Sequence, residues 1–147
     1  MESKSEQAVQ TFQSGFNCAQ SVLTAFTDDY NVDPKIALQI SLGFGAGMGR
    51  LQKTCGAVTG AFMVLGLHNA KKYTDNQDKK EQTYSMIQDF RNQFIQRHGT
   101  IDCDKLLNCD LTTESGQQYA KDNKLFEKVC ERCVFDSVKI LERMINK

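Results

Sequence analysis

Cysteines are the residues of this sequence with the most distinctive chemistry. The 147-residue chain has six of them. Three directly follow a residue that favours helix N-caps, in the pairs Asn17-Cys18, Thr54-Cys55 and Asp102-Cys103. Unpaired backbone N–H groups and the positive end of the helix dipole stabilise a thiolate at such a position, which lowers the pKa of the thiol. The pattern therefore predicts three first-turn thiols of low pKa, suited to ligation or redox chemistry.

A glycine-rich loop leads into Cys55. The stretch GFGAGMGRLQKTCGAVTG, residues 43–60, contains six glycines. Glycine adopts backbone conformations that are closed to other residues, so the loop is able to fold closely around the Cys55 sulfur. Phosphate binding is disfavoured, because no strand pattern precedes the loop and it lacks the Lys-Ser/Thr of a P-loop. We therefore predict a cofactor-binding role, beside the thiol, for Gly45, Gly47, Gly49 and Gly56.

Two further cysteines lie three residues apart near the C-terminus. Cys130 and Cys133 share one face of a predicted helix, so both are able to reach one partner. Together with Cys103 and Cys109 they would form a four-thiolate zinc site, although the Cys-x5-Cys spacing of the first pair is loose for zinc. The alternative to redox chemistry is therefore a structural zinc-binding protein, or a helical interaction protein without redox activity.

Apolar residues follow a helical spacing almost everywhere, and no period-2 segment typical of a strand occurs. The sequence predicts an all-α, single-domain bundle of about five to seven helices over residues 1–147. The predicted helices cover about residues 5–13, 17–30, 34–44, 54–72, 75–98 and 125–145, with a turn at 102–109 and a weaker helical piece at 115–121.

The helix predicted at 54–72 is unusually rich in small residues. Gly56, Gly60 and Gly66 each cost a helix about 1 kcal/mol relative to alanine, so a neighbour must approach that backbone closely. A second subunit is one candidate for that neighbour, which makes the chain a candidate homodimer.

Charge and hydropathy exclude several classes of function. Eighteen Lys and Arg balance eighteen Asp and Glu, so no net field favours nucleic acid or an anionic membrane. The polar N-terminus lacks a signal-peptide core, and the longest apolar run, AVTGAFMVLGL, is too short to span a bilayer. We predict a cytoplasmic protein, whose thiols stay reduced. No Ser/His/Asp grouping supports hydrolytic or acid–base catalysis, and whether the chain is an enzyme stays open.

Four segments together resemble the C_GCAxxG_C_C family, small helical proteins described as redox-active. The segments are GFNCAQSVL, GFGAGMGRLQKTCGAVTGAFMVLGL, IDCDKLLNCDL and CERCVFDSVKILERM. The family's cysteine pattern matches Cys18, Cys55, Cys103 and Cys130, whereas Cys109 and Cys133 fall outside it. The family is also similar to part of the split-Soret cytochromes c, but Val134 stands where a haem-binding His would follow Cys133.

The resemblance implies redox chemistry without an established reaction or substrate. We predict that Cys18, Cys55, Cys103 and Cys130 gather at one site. Four thiolates suit an iron–sulfur cluster of the 2Fe–2S or 4Fe–4S type. Without iron, the same thiols would cycle between dithiol and disulfide, which needs Cα atoms within about 7 Å. Both versions stay open, and both imply a redox partner protein whose identity is unknown.

Overall fold

The structure, a computed structural model, describes residues 3–146. Within that range the chain forms eight α-helices, joined by short connections. They are α1 (Lys4–Gln13), α2 (Cys18–Thr24), α3 (Pro34–Ser41), α4 (Gly56–Lys72), α5 (Asn76–His98), α6 (Cys103–Leu107), α7 (Glu114–Asp122) and α8 (Glu131–Ile145). Short 3-10 turns follow α2 and α3, at Asp28–Tyr30 and Leu42–Phe44, and a π-helical turn, Phe126–Cys130, leads directly into α8.

The all-α class predicted from the sequence is confirmed, but the number of helices is higher than predicted. The segment predicted as a turn at 102–109 contains α6, which begins after the N-cap Asp102 and ends where Asn108 adopts a left-handed conformation, with φ 53°. The helix predicted over 17–30 is also shorter than expected, since α2 ends at Thr24. Local cap residues thus divide the chain into more helices than apolar spacing alone indicates.

Side-chain caps define several helix starts. Asn17 accepts a hydrogen bond from the backbone N–H of Gln20, and the Gln20 side chain accepts one from the Asn17 N–H, which completes a capping box. Asp33 caps α3 directly before Pro34, and Asp75 caps α5. The cap at Asn17 agrees with the sequence prediction, and the starts of α3 and α5 agree with the helices predicted over 34–44 and 75–98.

The main hydrophobic core surrounds α4, which packs against α2, α5 and α8. Val64, Leu65, Phe90 and Phe94 are fully buried there. A second, smaller apolar cluster lies under α6 and α7 and includes Leu107 and Leu111.

The close neighbour predicted for the small-residue helix is α2 of the same chain. A Cβ atom on Gly60 would lie 2.8 Å from the Ala19 carbonyl oxygen, so only glycine fits. Gly66, in contrast, has nothing within 4 Å of such an atom. Because α2 covers this face of α4, the small residues do not require a second subunit, and the homodimer stays a prediction.

Among the helices within residues 3–146, none combines the length and the apolar character needed to span a bilayer. The longest helix, α5, has only two buried side chains, those of Phe90 and Phe94. The cytoplasmic location stays a prediction.

Candidate functional site

Five of the cysteines line one cavity of about 120 Å³ between α2, α4, α6 and the start of α8. They are Cys18, Cys55, Cys103, Cys130 and Cys133. The rest of the wall is mainly apolar, with large side chains from Phe12, Leu106, Leu107, Leu111, Phe126 and Val129. The structure therefore brings together the four cysteines predicted to share a site, and it adds Cys133.

A short backbone pairing places Cys55 beside Cys103. Thr54 and Asp102 form an isolated antiparallel bridge. On either side of it, the Cys55 N–H donates a 2.7 Å hydrogen bond to the Ile101 carbonyl, and the Cys103 N–H donates one of 2.7 Å to the Lys53 carbonyl. The starts of α4 and α6 are thereby held together, with both thiols on the cavity wall.

Close packing of α2 on α4 brings in Cys18, the first residue of α2. A Cβ atom on Gly56 would lie 3.2 Å from the Cys18 Cβ and 3.0 Å from the Phe44 carbonyl oxygen, so a larger residue would push α2 away. The expected cap of α4 is corrected here, because Cys55 itself is the N-cap residue and Thr54 precedes it.

The last two thiols come from the π-helical turn and α8. Cys130 ends the turn, and Cys133 lies in the first turn of α8. Cys130 affects the pKa of Cys18 and Cys133 affects the pKa of Cys55, so the side chains of each pair lie close enough to interact. Cys133 lies outside the family pattern, but its three-residue spacing from Cys130 predicted that both side chains reach one partner.

The expectation of low pKa values holds only at Cys55. The side chain of Cys133 and the backbone N–H groups of Ala57 and Val58 lower the Cys55 pKa, against the opposing effect of burial. The prediction is wrong for the other two helix-start thiols. The neighbouring Cys130 side chain, together with burial, raises the pKa of Cys18 well above its usual range.

The two remaining affected thiols of the wall both have raised pKa values. Burial raises the pKa of Cys103 to about 12, because an apolar wall disfavours the charged thiolate. The pKa of Cys133 is also raised, since this thiol interacts with the Cys55 side chain and is buried. The two shifts therefore favour ionisation of Cys55 over that of Cys133.

Gln52 organises the loop on one side of the cavity, and no sequence signal marked it. Its side chain is buried. The side-chain oxygen accepts a 2.7 Å hydrogen bond from the Leu111 N–H, and Nε2 donates a 2.9 Å bond to the Cys109 carbonyl. Nε2 also lies 3.9 Å from the Cys103 sulfur. One side chain thus ties the glycine-rich loop to the segment that follows α6.

The four glycines predicted to bind a cofactor differ in position. Gly47 and Gly56 lie on the cavity wall, whereas Gly45 and Gly49 are not among its lining residues. A Cβ atom on Gly45 would lie 2.6 Å from the Asn17 side chain. One on Gly47 would lie 2.5 Å from the Gln52 Cα. These two glycines are therefore required by close packing of the protein on itself.

Residues 46–50 form a left-handed turn. Every residue from Ala46 to Arg50 has a positive φ, between 55° and 70°. The turn is closed by backbone hydrogen bonds, such as that from the Gly49 N–H to the Gly45 carbonyl at 2.9 Å. Non-glycine residues are strained in this region, so neighbouring contacts must hold the turn in place.

The zinc alternative receives no geometric support. Cys109 is absent from the cavity wall and lies partly exposed beside the smaller apolar cluster. Nowhere in residues 3–146 are three or more Cys, His, Asp or Glu side chains grouped so as to hold a metal ion. All six cysteines are free thiols. Of the set Cys103, Cys109, Cys130 and Cys133, Cys109 is thus the member that does not line the cavity.

These features define a class of small all-α proteins with several buried thiols around one apolar cavity. The family model described as "Putative redox-active protein (C_GCAxxG_C_C)" matches residues 16–144, a range that contains every cysteine of the chain. The chain therefore belongs to this family, as its motifs predicted. Comparisons with curated proteins and with solved structures return no match.

Proposed function

We propose that this protein carries electrons on a redox centre built from the cysteines around the cavity. The observation that carries the proposal is the convergence of Cys18, Cys55, Cys103 and Cys130 on one apolar cavity from four separate segments. The membership of a redox-active family supports it. Electron transfer also requires a redox partner protein, which we propose without naming one.

The donor set suits an iron–sulfur cluster in its chemistry; the thiols of residues 3–146 are not already grouped so as to hold a metal ion, so cluster binding would draw them together. Such clusters take cysteine thiolates as ligands, and the wall offers five thiols and almost no competing polar group. Protein interiors rarely keep voids larger than a water molecule, and an apolar void is costly. Cys18, Cys55, Cys103 and Cys130 would hold the cluster, which when bound supplies one-electron transfer. Leu107, Leu111 and Phe126 would exclude water from it.

The burial of the thiols favours the cluster over a disulfide couple involving Cys55. Cys18, Cys55 and Cys103 are 7%, 6% and 6% exposed, respectively. Thiol–disulfide exchange requires direct contact between the attacking sulfur and an incoming disulfide, and these sulfurs are covered. Electron transfer to a buried centre needs no such contact.

A specific observation keeps a disulfide couple as the second candidate. Cys130 is partly exposed, and both it and the buried Cys18, whose pKa it raises, line the cavity. The Cys130 thiolate would attack the disulfide of a partner protein and release one partner thiolate. Cys18, after losing its proton, would then attack the Cys130 sulfur and release the second. The two cysteines would lose two protons and two electrons to the partner's disulfide.

Anaerobic purification followed by iron and acid-labile sulfide analysis tests the first candidate. We expect stoichiometric iron and sulfide, with loss of both in each of C18S, C55S, C103S and C130S. The matched control is C109S, which should retain them because Cys109 is not on the wall. Iron-free protein after anaerobic reconstitution would exclude the cluster.

The second candidate is tested on iron-free protein by titration with glutathione buffers and peptide mass spectrometry. A Cys18–Cys130 disulfide that forms and breaks reversibly would support it. Thiols that remain reduced at every ratio of oxidised to reduced glutathione would exclude it. If the protein also stays iron-free after anaerobic reconstitution, the redox proposal as a whole is excluded.

A further inference from the structure

A second concavity, of about 250 Å³, lies on the outer side of the thiol cavity. Leu106 and Val129 line both spaces, so a single layer of side chains separates them. The remaining residues of the outer concavity, which we call the cationic cleft, are all basic: Arg97, His98, Lys105, Lys128 and Arg132. The proposed redox function does not use any of these five residues.

The basic residues of the cleft come from three parts of the fold. Arg97 and His98 end α5, and Lys105 lies in α6. Lys128 belongs to the π-helical turn and Arg132 to the first turn of α8. The chain as a whole has a formal net charge of zero, so this concentration of positive charge is local.

Acidic side chains neutralise only part of this charge. Asp136 accepts an ion pair from Arg97 at 3.2 Å and lies 2.9 Å from His98 Nε2. Lys105 Nζ lies 3.5 Å from a carboxylate oxygen of Asp102, in a largely exposed pair that contributes little. Burial lowers the pKa of His98, which favours its neutral form at pH 7.

Two cations of the cleft have no ion-pair partner in the part of the chain that the structure describes. They are Lys128 and Arg132, which lie four residues apart in one continuous helical segment. Arg132 also lines a separate concavity, together with Glu127, Glu131 and Asp136, but none of these carboxylates forms an ion pair with it. Like charges at this spacing repel each other, so an anion between them would relieve the repulsion.

We propose that the cationic cleft binds a small organic anion that carries at least two phosphate or carboxylate groups. A concave site of this volume suits a small molecule, whereas an acidic protein surface would need a broad and flat patch. Guanidinium groups match phosphate and carboxylate oxygens in a bidentate geometry, and Arg97 and Arg132 provide two of them. The bound anion would lie one side-chain layer from the thiols.

Isothermal titration calorimetry on the full chain at low ionic strength tests the proposal. Pyrophosphate serves as the phosphate probe and citrate as the carboxylate probe. We expect saturable one-to-one binding of at least one probe, and the stronger of the two identifies the anionic group. R132Q and K128Q should each weaken binding about tenfold, the usual loss for one charge-assisted hydrogen bond.

The matched control is R143Q, because Arg143 lies in the same helix but outside the cleft. It should change the dissociation constant less than twofold. The proposal is overturned if neither probe binds at millimolar concentration, or if R143Q weakens binding as much as R132Q, which would indicate nonspecific charge attraction. Iron and sulfide contents of R132Q and K128Q should equal those of the unmodified protein, so failure here is distinct from failure of the redox proposal.

Discussion

Thr54 and Asp102 pair through their backbones, and this bridge sets the two residues that follow them, Cys55 and Cys103, on the same cavity wall. The two cysteines belong to segments far apart in the sequence. The backbone N–H groups of both cysteines donate the hydrogen bonds that flank the bridge, so main-chain hydrogen bonds help to position the two thiols.

Replacing Gln52 by alanine tests the loop on one side of the cavity. Q52A would leave the buried N–H of Leu111 without its acceptor, so we expect the free energy of unfolding to fall by about 2 kcal/mol. Urea denaturation measures the change. Q118A is the control, since the exposed Gln118 bonds only to Asp122 one turn away, and should cost less than about 0.5 kcal/mol. Equal effects would contradict the role of Gln52.

Two glycines of α4 should respond in opposite directions to alanine. In G60A the added methyl would meet the Ala19 carbonyl oxygen, and we expect a loss of about 1–3 kcal/mol in stability. In G66A the methyl enters open space within a helix, so a gain of up to about 1 kcal/mol should follow. Thermal or urea unfolding compares the two, and a stabilising G60A would disprove the close contact of α2 with α4.

Arg50 should be replaceable by glycine with a gain in stability. Arg50 is exposed and has a φ of 65°, where a Cβ atom costs about 1–2 kcal/mol. After the entropy cost of glycine, R50G should gain about 0.5–1 kcal/mol in the free energy of unfolding. K53G is the control: Lys53 is exposed, lacks a positive φ, and should lose stability on this change. Destabilisation by R50G would argue against the left-handed turn.

Ionisation of the Cys103 thiol should lower the free energy of unfolding at alkaline pH. Its pKa is raised from the ordinary 9.0 to about 12 in the folded chain. The unfolded thiol therefore ionises first, so the stabilising contribution is complete below pH 9.0 and is lost as the pH rises toward 12. Urea midpoints of the reduced, iron-free protein should fall less steeply over this range in C103S. The same slope in C103S and in the unmodified protein would refute the assignment.

The order in which the thiols of the native protein are alkylated should depend on their burial and not on their pKa. A short pulse of iodoacetamide on the reduced, iron-free chain should modify the partly exposed Cys109 and Cys130 first. Cys55 should be protected despite its lowered pKa, because its sulfur is covered until the cavity opens. Peptide mass spectrometry gives the order, with labelling in denaturing urea as the control. Equally fast labelling of Cys55 and Cys109 would mean that the cavity is open.

Much of the local structure was predictable from the sequence. Asn17, Asp33 and Asp75 act on backbone groups within the next three residues, so their cap signals do not depend on the rest of the fold. Glycines in α4 likewise predicted a close neighbour, although not which one. The short helix α6 was missed, because its five residues are too few for apolar spacing to reveal.

The sequence by itself determined the helical class, the main helix starts and the candidate set of Cys18, Cys55, Cys103 and Cys130, since these follow from local patterns and from family motifs. Only the tertiary structure placed Cys133 on the wall, excluded Cys109 from it and assigned Gln52 its buried hydrogen bonds. It also reversed the expected pKa shifts of Cys18 and Cys103. The physical reason is that burial and long-range contacts depend on which segments of the chain meet. Local residue spacing does not show that an apolar wall will raise the pKa of a thiol more than a helix N-terminus lowers it.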